Sequence, residues 1–290
     1  MDIRFLQSLV AIVETGSITA AARREGITPA AVSQRIQALE RDLNCMLLAR
    51  GAHSAKPTES CLALLPRARL LIREAALLQE DVDGGDLSGV VRIGAISTAL
   101  TGILPRILDE TARRAPKLRL RITPGSSMQL YEQLTSGELD AAIMVAPPFV
   151  LPKGLKASLI RREPLMLMTR EPVARGKIVE RIMNAPFIRY DPSSWGGRLA
   201  MDYLEKAGLF PDVRFDLDAL ETIALLVSKG LGNSLVPQWK GLLPEGFHLR
   251  PVPDADAYAR SLVFMHSSVP ARPSALEFIF EMIAPAKSER

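Results

Sequence analysis

The feature that most constrains this sequence is a tight helical corner near its start. Residues 16–43, GSITAAARREGITPAAVSQRIQALERDL, contain two helical patterns separated only by Gly26-Ile27-Thr28. Ser17 is suited to cap the first helix, and Gly26 to end it in the left-handed conformation. Thr28 caps the second helix, with Pro29 at the first helical position, where a missing N–H costs nothing. The spacing therefore predicts two short helices that pack closely against each other.

The second helix of the corner has an apolar face and a small, polar face. At a helical period, the predicted buried residues are Val32, Ile36, Leu39 and Leu43. A rotation of about 100° per residue gives the opposite face, which comprises Ala30, Gln34, Gln37 and Arg41, flanked by Ser33 and Arg35. Small residues allow close approach to a DNA major groove, and an amide can pair with adenine through two hydrogen bonds. The alternative is a solvated polar face, as many α-helical domains have.

Two motifs extend this pattern. The first is Gly16-Ser17-Ile18-Thr19 followed by Ala21-Ala22, and the second is Ala31-Val32-Ser33-Gln34-Arg35-Ile36 followed by Leu39-Glu40. With KPTES after them, they make residues 1–65 resemble the winged helix-turn-helix of the LysR-type transcriptional regulators, a bacterial family of effector-responsive activators and repressors. The sequence has Pro29-Ala30 where many members have Gln-Pro, and Gln34 replaces a frequent Arg. Base contacts of other members therefore do not transfer to these positions.

The helix face and the resemblance together define a set of candidate DNA contacts. They lie in the helical corner and in a wing expected over residues 50–56, and they are Thr19, Thr28, Pro29, Ala30, Ser33, Gln34, Arg35, Gln37, Arg50, His53, Lys56 and Thr58. Gln34 is expected to read bases. Arg35 is expected to bind phosphate and to contribute to the salt dependence of binding.

Residues 59–89 are expected to form a linker helix and hinge that follow a DNA-binding domain at 1–58. Its apolar stripe consists of Cys61, Leu65, Ala68, Ile72, Ala75 and Val82, widened by Leu64, Leu71 and Leu78. Such a wide stripe must be covered, either by its own domain or by the helix of a second copy. We favour dimerisation.

From residue 90 to 290 short strand patterns alternate with helical ones. VVRIGAIS, LRLRITPG and DAAIMVA are strand patterns with helices between them, which predicts a parallel sheet, and a second set begins near PLMLMT. By resemblance this is the family's effector domain, with the two-lobed fold of periplasmic solute-binding proteins. Lobe I is expected at 90–162 and 268–290, and lobe II at 163–267. The expected class is thus α/β multidomain, with an all-α winged helix-turn-helix at its start.

Ligands of open α/β sheets bind beyond the carboxyl ends of the strands, so the loops there supply candidate contacts. These are Ser97, Thr98, Ala99, Ser126, Ser127, Met128, Ala146 and Pro147 from the first lobe, and Asp191, Ser194, Trp195, Glu221 and Thr222 from the second. Two of the loops open helices, whose free N–H groups favour an anion, so a small carboxylate is the expected effector. The alternatives are a helix cap for Ser97 and Ser126, simple packing for Trp195 and a solvated first-turn acid for Glu221.

Other function classes fit the sequence less well. It has no phosphate-binding loop or nucleophile elbow, and His53, His248 and His266 are far apart, so we expect neither an enzyme nor a metal or other cofactor. Cys45 and Cys61 both precede residue 62, which leaves the effector domain no thiol for sensing peroxide. The alternative is a solute-binding protein of a transport system, which the helical corner and the absence of a secretory signal both oppose.

Expected partners are double-stranded DNA, a small-molecule effector and further copies of the chain in a dimer of dimers. RNA polymerase is a further candidate. No apolar run reaches the roughly 18 residues needed to span a bilayer, so we expect a cytoplasmic protein with no membrane partner. The net charge of +4 permits a nucleic-acid partner without requiring one.

Overall fold

The computed structural model describes residues 2–49, 56–83, 87–241 and 244–284. The chain divides into two compact units: Met1–Gly85 with Thr135–Glu138 forms the first, and Asp86–Leu134 with Leu139–Arg290 forms the second. The first unit is mainly helical, whereas the second mixes helices with sheets. No helix within the described ranges has the length and apolar character to cross a bilayer.

The N-terminal unit begins with the predicted helical corner. Its first three helices are α1 (Ile3–Thr15), α2 (Ile18–Glu25) and α3 (Pro29–Leu43). Ser17 Oγ accepts a hydrogen bond from the Ala20 amide at 3.1 Å, and Thr28 Oγ1 accepts one from the Ala31 amide at 3.2 Å. Gly26 ends α2 at a φ of 68°. Both predicted caps and the predicted turn are confirmed. Each satisfies unpaired backbone groups at the end of a helix with a residue that is close in sequence.

One hydrophobic core joins these helices. Its buried members on α1 and α3 include Leu6, Leu9, Ile12, Val32, Ile36 and Leu39. Burying a side chain of this size stabilises a fold by about 1.5–3 kcal/mol. The prediction was wrong for Leu43, which is 36% exposed, because α3 ends there and Asn44 turns the chain away in the left-handed conformation.

A short hairpin and a long helix complete the first unit. Strands β1 (Leu48–Ala49) and β2 (Lys56–Pro57) pair antiparallel, in the place where the sequence predicts a wing. Residues 50–55, including Arg50 and His53, lie outside the described residues. Helix α4 (Glu59–Asp83) follows, with Thr58 Oγ1 accepting a hydrogen bond from the Cys61 amide at 3.2 Å.

The apolar residues of α4 have two different environments. Cys61, Leu65 and Ala68 are buried in the core of the first unit, with Ile72 packed against it. Four leucines on the same helix are 46–68% exposed, namely Leu62, Leu70, Leu71 and Leu78. The side chain of Val82 lies outside the described residues. Packing on its own domain therefore covers one part of the apolar surface and leaves the leucines uncovered.

The second unit contains the remaining elements. In chain order they are β3 (Gly89–Ala95), α5 (Ser97–Gly102), α6 (Leu104–Arg114), β4 (Leu118–Pro124), α7 (Ser127–Thr135), β5 (Ala141–Val145), β6 (Leu155–Glu163), β7 (Leu165–Thr169), α8 (Ile178–Met183), β8 (Phe187–Tyr190), α9 (Trp195–Lys206), β9 (Val213–Leu217), α10 (Leu220–Ser228), β10 (Ser234–Pro237), β11 (His248–Pro251), β12 (Arg260–Ser267) and α11 (Pro273–Ile283). They form two lobes.

Lobe I is built on a five-stranded sheet in the order β4-β3-β5-β12-β6. β3 is parallel to β4 and β5, as predicted, whereas β12 runs antiparallel to β5 and β6. The predicted range of lobe II, 163–267, is therefore wrong at its end. Leu262–His266 pair with the fully buried Ala141–Val145, so the chain returns to lobe I before β12 rather than after it.

Lobe II has two smaller sheets. β7 lies between β10 and β11, antiparallel to both, and β8 pairs with β9 in parallel. β9 and β11 were not predicted. Because β6 ends at Glu163 and β12 begins at Arg260, the chain passes between the lobes at those two points, and Arg260 is paired with Glu163 in the sheet register.

Candidate functional site

The structure presents the predicted polar face of α3 at the surface of the first unit. Ala30, Gln34 and Gln37 are exposed, while Val32, Ile36 and Leu39 anchor the opposite side in the core. Thr28 and Pro29 are exposed at the start of the helix. The Ser33 hydroxyl donates to the Pro29 carbonyl at 2.9 Å, so its hydrogen is already used within the helix. This surface is small and bears amides, which suits close approach to a major groove and pairing with adenine.

Arg35 has a different environment from the one predicted. Its Nη1 donates to Glu25 Oε2 at 3.0 Å and to Ser8 Oγ at 3.1 Å, and Ser8 also donates to Glu25 at 2.7 Å. The Arg35 and Glu25 side chains are 23% and 16% exposed, and Ser8 is fully buried. The expectation that Arg35 binds phosphate is therefore corrected: it cross-links α1, α2 and α3, since a nearby carboxylate holds its guanidinium.

The remaining predicted DNA contacts lie outside α3. Thr19 on α2 and Lys56 on β2 are exposed, as contacts to a DNA backbone must be. Thr58 is partly buried, and its hydroxyl donates to the Met46 carbonyl at 2.9 Å while capping α4. We therefore assign Thr58 to the structure of the fold rather than to the DNA surface.

A cavity of about 700 Å³ lies between the two lobes of the second unit. Eight predicted residues line it: Ser97, Thr98, Ser126, Ser127, Met128, Asp191, Ser194 and Trp195. They come from the first turns or preceding loops of α5, α7 and α9, and Ala219 and Leu220 add the start of α10. Helix N-termini carry partial positive charge and unpaired N–H groups. Four helix starts around one cavity thus favour a negatively charged occupant.

Five other predicted residues do not line the cavity. Ala99 is fully buried in the lobe I core, because the helix turns its side chain inward. Ala146 packs against the same core, its amide donates to the Ser261 carbonyl at 2.8 Å, and Pro147 follows it in the loop beyond β5. Glu221 accepts a hydrogen bond from Thr101 Oγ1 of lobe I at 3.4 Å, and Thr222 is exposed one position further round the helix.

Several serines around the cavity also cap helices. Ser126 Oγ accepts from the Gln129 amide, and Gln129 Oε1 accepts from the Ser126 amide at 3.0 Å, which is a reciprocal capping box. Ser194 Oγ accepts from the Gly197 amide at 3.0 Å. Ser97 is not a cap, because Ile96 occupies that position of α5. The alternative of helix capping thus holds for Ser126 and is wrong for Ser97. Ser194, for which no cap was predicted, also caps a helix, and both Ser126 and Ser194 line the cavity.

Sequence reasoning missed several residues that line the cavity, including Tyr190, Asp218 and, most importantly, Arg260. Arg260 is 2% exposed, its Nε donates to Glu163 Oε2 at 2.6 Å, and its Nη2 donates to Thr98 Oγ1 at 3.0 Å. Glu163 Oε1 also accepts from Arg161 Nε at 2.6 Å. Burial opposes the charge of Arg260, but the Glu163 carboxylate and the Tyr190 hydroxyl outweigh it and leave the pKa of Arg260 raised. Two guanidinium groups thus share one carboxylate, a formal excess of one positive charge.

The lobe II wall carries the opposite charge. Asp191 accepts hydrogen bonds from the Ser193 amide and hydroxyl at 2.8 and 2.7 Å. Burial raises the pKa of Asp218, a hydrogen bond from Ser194 opposes this, and the charge of Asp191 adds to it. Burial also raises the pKa of Tyr190, which is 5% exposed. The cavity therefore has the cationic Arg260 on one side and the acidic side chains of Asp191 and Asp218 on the side of lobe II.

The described part of the chain contains no group of three or more His, Cys, Asp or Glu side chains arranged to hold a metal ion. The first unit is a helix-turn-helix with a short hairpin at the place of the wing, and a long helix follows it. The second unit has two lobes with a cavity large enough for a small ligand. This combination defines a ligand-responsive regulator of transcription. Residues 3–62 match the family model "Bacterial regulatory helix-turn-helix protein, lysR family", and residues 84–286 match "LysR substrate binding domain". The chain belongs to the LysR family.

Known relatives agree with this assignment. The chain is 29% identical over 284 residues to the HTH-type transcriptional regulator TtuA of Agrobacterium vitis, covering 90% of this chain and 92% of that protein. It is 30% identical over 246 residues to the DNA-binding transcriptional dual regulator OxyR of Escherichia coli K12, covering 82% and 79%. These relatives are regulators rather than enzymes, and the alternative of a transport protein is not supported.

Solved structures show the same fold over the full length. A full-length variant of OxyR from Pseudomonas aeruginosa has a TM-score of 0.71 at 20% identity and covers 100% of both chains. Full-length CbnR, solved in complex with its target DNA, has a TM-score of 0.63 at 18% identity and covers 98% of this chain and 99% of that chain. The predicted fold class is confirmed.

Proposed function

We propose that this chain binds operator DNA through α3 and that a small carboxylate in the cavity between its lobes modulates that binding or promoter activation. The observation that carries the ligand class is Arg260, a buried cation at the cavity whose hydrogen-bonded carboxylate, Glu163, is shared with Arg161. A carboxylate there adds a charge-assisted hydrogen bond in surroundings of low dielectric, where such bonds are strong. The helix starts around the cavity act in the same direction.

A paired thermal-shift screen tests this ligand class. We expect butyrate or succinate analogues that fit the cavity to raise the Tm, and their uncharged amides to leave it unchanged. Ligand at 100 times its Kd stabilises the folded state by about 2.7 kcal/mol, which is several degrees for a domain of this size. Equal shifts from an acid and its amide would contradict a requirement for the anion.

The DNA-binding role rests on the exposed face of α3. We assign base contact to Ala30, Gln34 and Gln37, with Thr28, Pro29 and Ser33 close to the groove at the start of the helix. Thr19 and Lys56 contribute contacts to the phosphate backbone, which position the protein without reading sequence. Arg50 and His53 stay candidates of the same kind. The determination of CbnR with its target DNA supports this use of the shared fold.

We propose that the exposed leucines of α4 form a dimer interface and that dimers pair again through their effector domains. Leu71 and Leu78 are seven residues apart and lie on the same side of the helix, with Leu70 about 100° round from them, whereas Leu62 lies on the opposite side. The apolar stripe therefore consists of Leu70, Leu71 and Leu78. A second copy of the helix matches that stripe along its length. Paired recognition helices then contact half-sites about 10 base pairs apart or at multiples of that spacing.

Substitution of this stripe tests the dimer. The variant Leu71→Asp/Leu78→Asp is expected to weaken self-association by about 10-fold or more, because each buried leucine contributes about 1.5–3 kcal/mol. Sedimentation equilibrium over a range of protein concentrations measures the change. Leu231→Asp, at a leucine of lobe II that is 45% exposed, is the matched control and is expected to self-associate normally. Normal association of the double variant would exclude α4 from the interface.

Peroxide sensing through thiols is not the proposed signal. The two cysteines of the sequence, Cys45 and Cys61, both belong to the first unit, and burial raises the pKa of Cys61, which lowers its thiolate fraction. We further propose that the chain has no catalytic activity and needs no cofactor. It acts in the bacterial cytoplasm, where DNA and RNA polymerase, a further candidate partner, are present.

A further inference from the structure

Three aromatic rings from both lobes meet beside the cavity. Tyr131 lies on α7 and Phe149 follows β5 in lobe I, whereas Trp195 is the first residue of α9 in lobe II. The ring centroids are 5.2 Å apart for Tyr131–Phe149, 6.0 Å for Tyr131–Trp195 and 5.8 Å for Phe149–Trp195. All three pairs meet edge to face, at 63–87°, an attractive arrangement of aromatic quadrupoles. We call this group the aromatic clasp.

Trp195 has contacts on both sides of the cleft. Its backbone belongs to α9, whose start is fixed in lobe II by the Ser194 cap. Its side chain, however, packs against the hydrophobic core of lobe I, and it also lines the cavity. Simple packing, the alternative weighed for this residue, would have placed the ring in the core of its own lobe. The ring instead joins the two lobes where a ligand would lie.

A second seam joins the lobes away from the clasp. Thr101 of α5 donates to Glu221 of α10, and Gly102 lies directly against the backbone of Lys240. A Cβ added to Gly102 would lie 2.0 Å from the Lys240 carbonyl oxygen, a distance that two non-bonded atoms cannot adopt. Any side chain at residue 102 must therefore displace the backbone at Lys240, on the lobe II side of this seam.

We propose that the aromatic clasp, through Trp195, holds the lobes together over the cavity, so that Trp195 is a positioning residue for ligand binding. The cleft cannot open while the three rings stay in contact, because they belong to different lobes. The affinity for a ligand in the cavity is then higher in the closed arrangement of the lobes than in an open one. The consequence for ligand affinity rests on the proposed function, whereas the closure itself does not.

Tryptophan fluorescence of the full chain tests the clasp without any ligand. Trp195 and Trp239 are the two tryptophans of the sequence, so Trp239→Phe leaves Trp195 as the single probe. In that background Phe149→Ala is expected to shift the emission to the red and to raise acrylamide quenching about twofold, because the indole loses its edge-to-face neighbour. Val150→Ala, at an adjacent residue that is 94% exposed, is expected to change neither. If Trp239→Phe fails to fold, subtracting the spectrum of Trp195→Phe from that of the unmodified chain isolates the same signal.

A remote variant then separates lobe closure from local packing. Gly102→Ala displaces the backbone at the second seam and touches none of the three rings. If the two lobes move as rigid bodies, this variant is expected to raise the quenching of Trp195. Gly154→Ala, where an added Cβ would meet nothing within 4 Å, is the control. No change with Phe149→Ala would remove Phe149 from the clasp and overturn the proposal. A change with Phe149→Ala but none with Gly102→Ala would reduce the clasp to local packing. Neither result depends on whether the cavity binds a carboxylate.

Discussion

Glu163→Ala is expected to lower the free energy of unfolding of the effector domain by about 3–5 kcal/mol. Glu163 is fully buried between Arg161 and Arg260, and the variant leaves the Arg260 guanidinium, itself 2% exposed, without its carboxylate. An unpaired buried charge costs more than the pair contributed. Urea unfolding followed by tryptophan fluorescence measures the loss, and it reports on this domain alone because both tryptophans lie in it.

An exposed ion pair in the same domain provides the control for this measurement. Asp202 pairs with Arg198 at 3.0 Å on α9, with side chains 42% and 64% exposed. Asp202→Ala is expected to cost no more than about 0.5 kcal/mol, because solvent screens such pairs. If Glu163→Ala lowered the free energy of unfolding as little as Asp202→Ala does, the Glu163–Arg260 pair would not stabilise the domain as its burial indicates.

Gln34→Ala is expected to weaken binding to a selected operator by about 1–3 kcal/mol, or roughly 5- to 150-fold, with little change on scrambled DNA. The amide lies on the exposed face of α3 and has no charge, so the slope of log affinity against log salt concentration should stay the same. Binding assays at several salt concentrations, on an operator selected from genomic fragments and on its scrambled form, measure both quantities. Equal losses on the two DNAs would show that Gln34 does not read sequence.

Arg35→Ala is the matched comparison at the neighbouring position. Its guanidinium is held by Glu25 and Ser8, so the variant is expected to lower the thermal stability of the first unit while leaving the salt slope unchanged. A salt slope reduced by about one, with stability intact, would instead identify Arg35 as a phosphate contact.

The two regions differ in how far sequence reasoning could predict them. The caps Ser17 and Thr28 and the turn at Gly26 depend on residues within one helical turn, and the structure has each of them as predicted. Arg35 occurs in the same stretch, but its partner Ser8 is 27 residues away on another helix, and no local pattern shows that contact. Short-range signals thus predicted the helical corner but not its internal ion pair.

The same distinction explains the effector site. The loops after β3 and β4 supply cavity residues because a strand's carboxyl end is recognisable from its own sequence. Arg260 was missed because its pairing with Glu163, 97 residues earlier, depends on the register of β12 against β6. The only available signal was a charged residue at the edge of each of two apolar runs, RREPLMLMT and ARSLVFM. The misplaced end of lobe II has the same origin, since β12 joins the sheet of the other lobe.

The residues around the cavity fall into two groups, and this affects how such a regulator can come to respond to a new ligand. The starts of α5, α7, α9 and α10 surround the ligand space with short hydroxyl side chains and with apolar ones such as Met128, Trp195 and Leu220. Replacing those side chains alters shape and polarity with little disturbance of either lobe's interior. Arg260 and Glu163, by contrast, lie on the two strands at which the chain crosses between the lobes, and each is the charge partner of the other. Neither can therefore be substituted independently of the other. On the proposed function, substitutions at the helix starts would therefore change which carboxylate is bound far more easily than they would remove the preference for an anion.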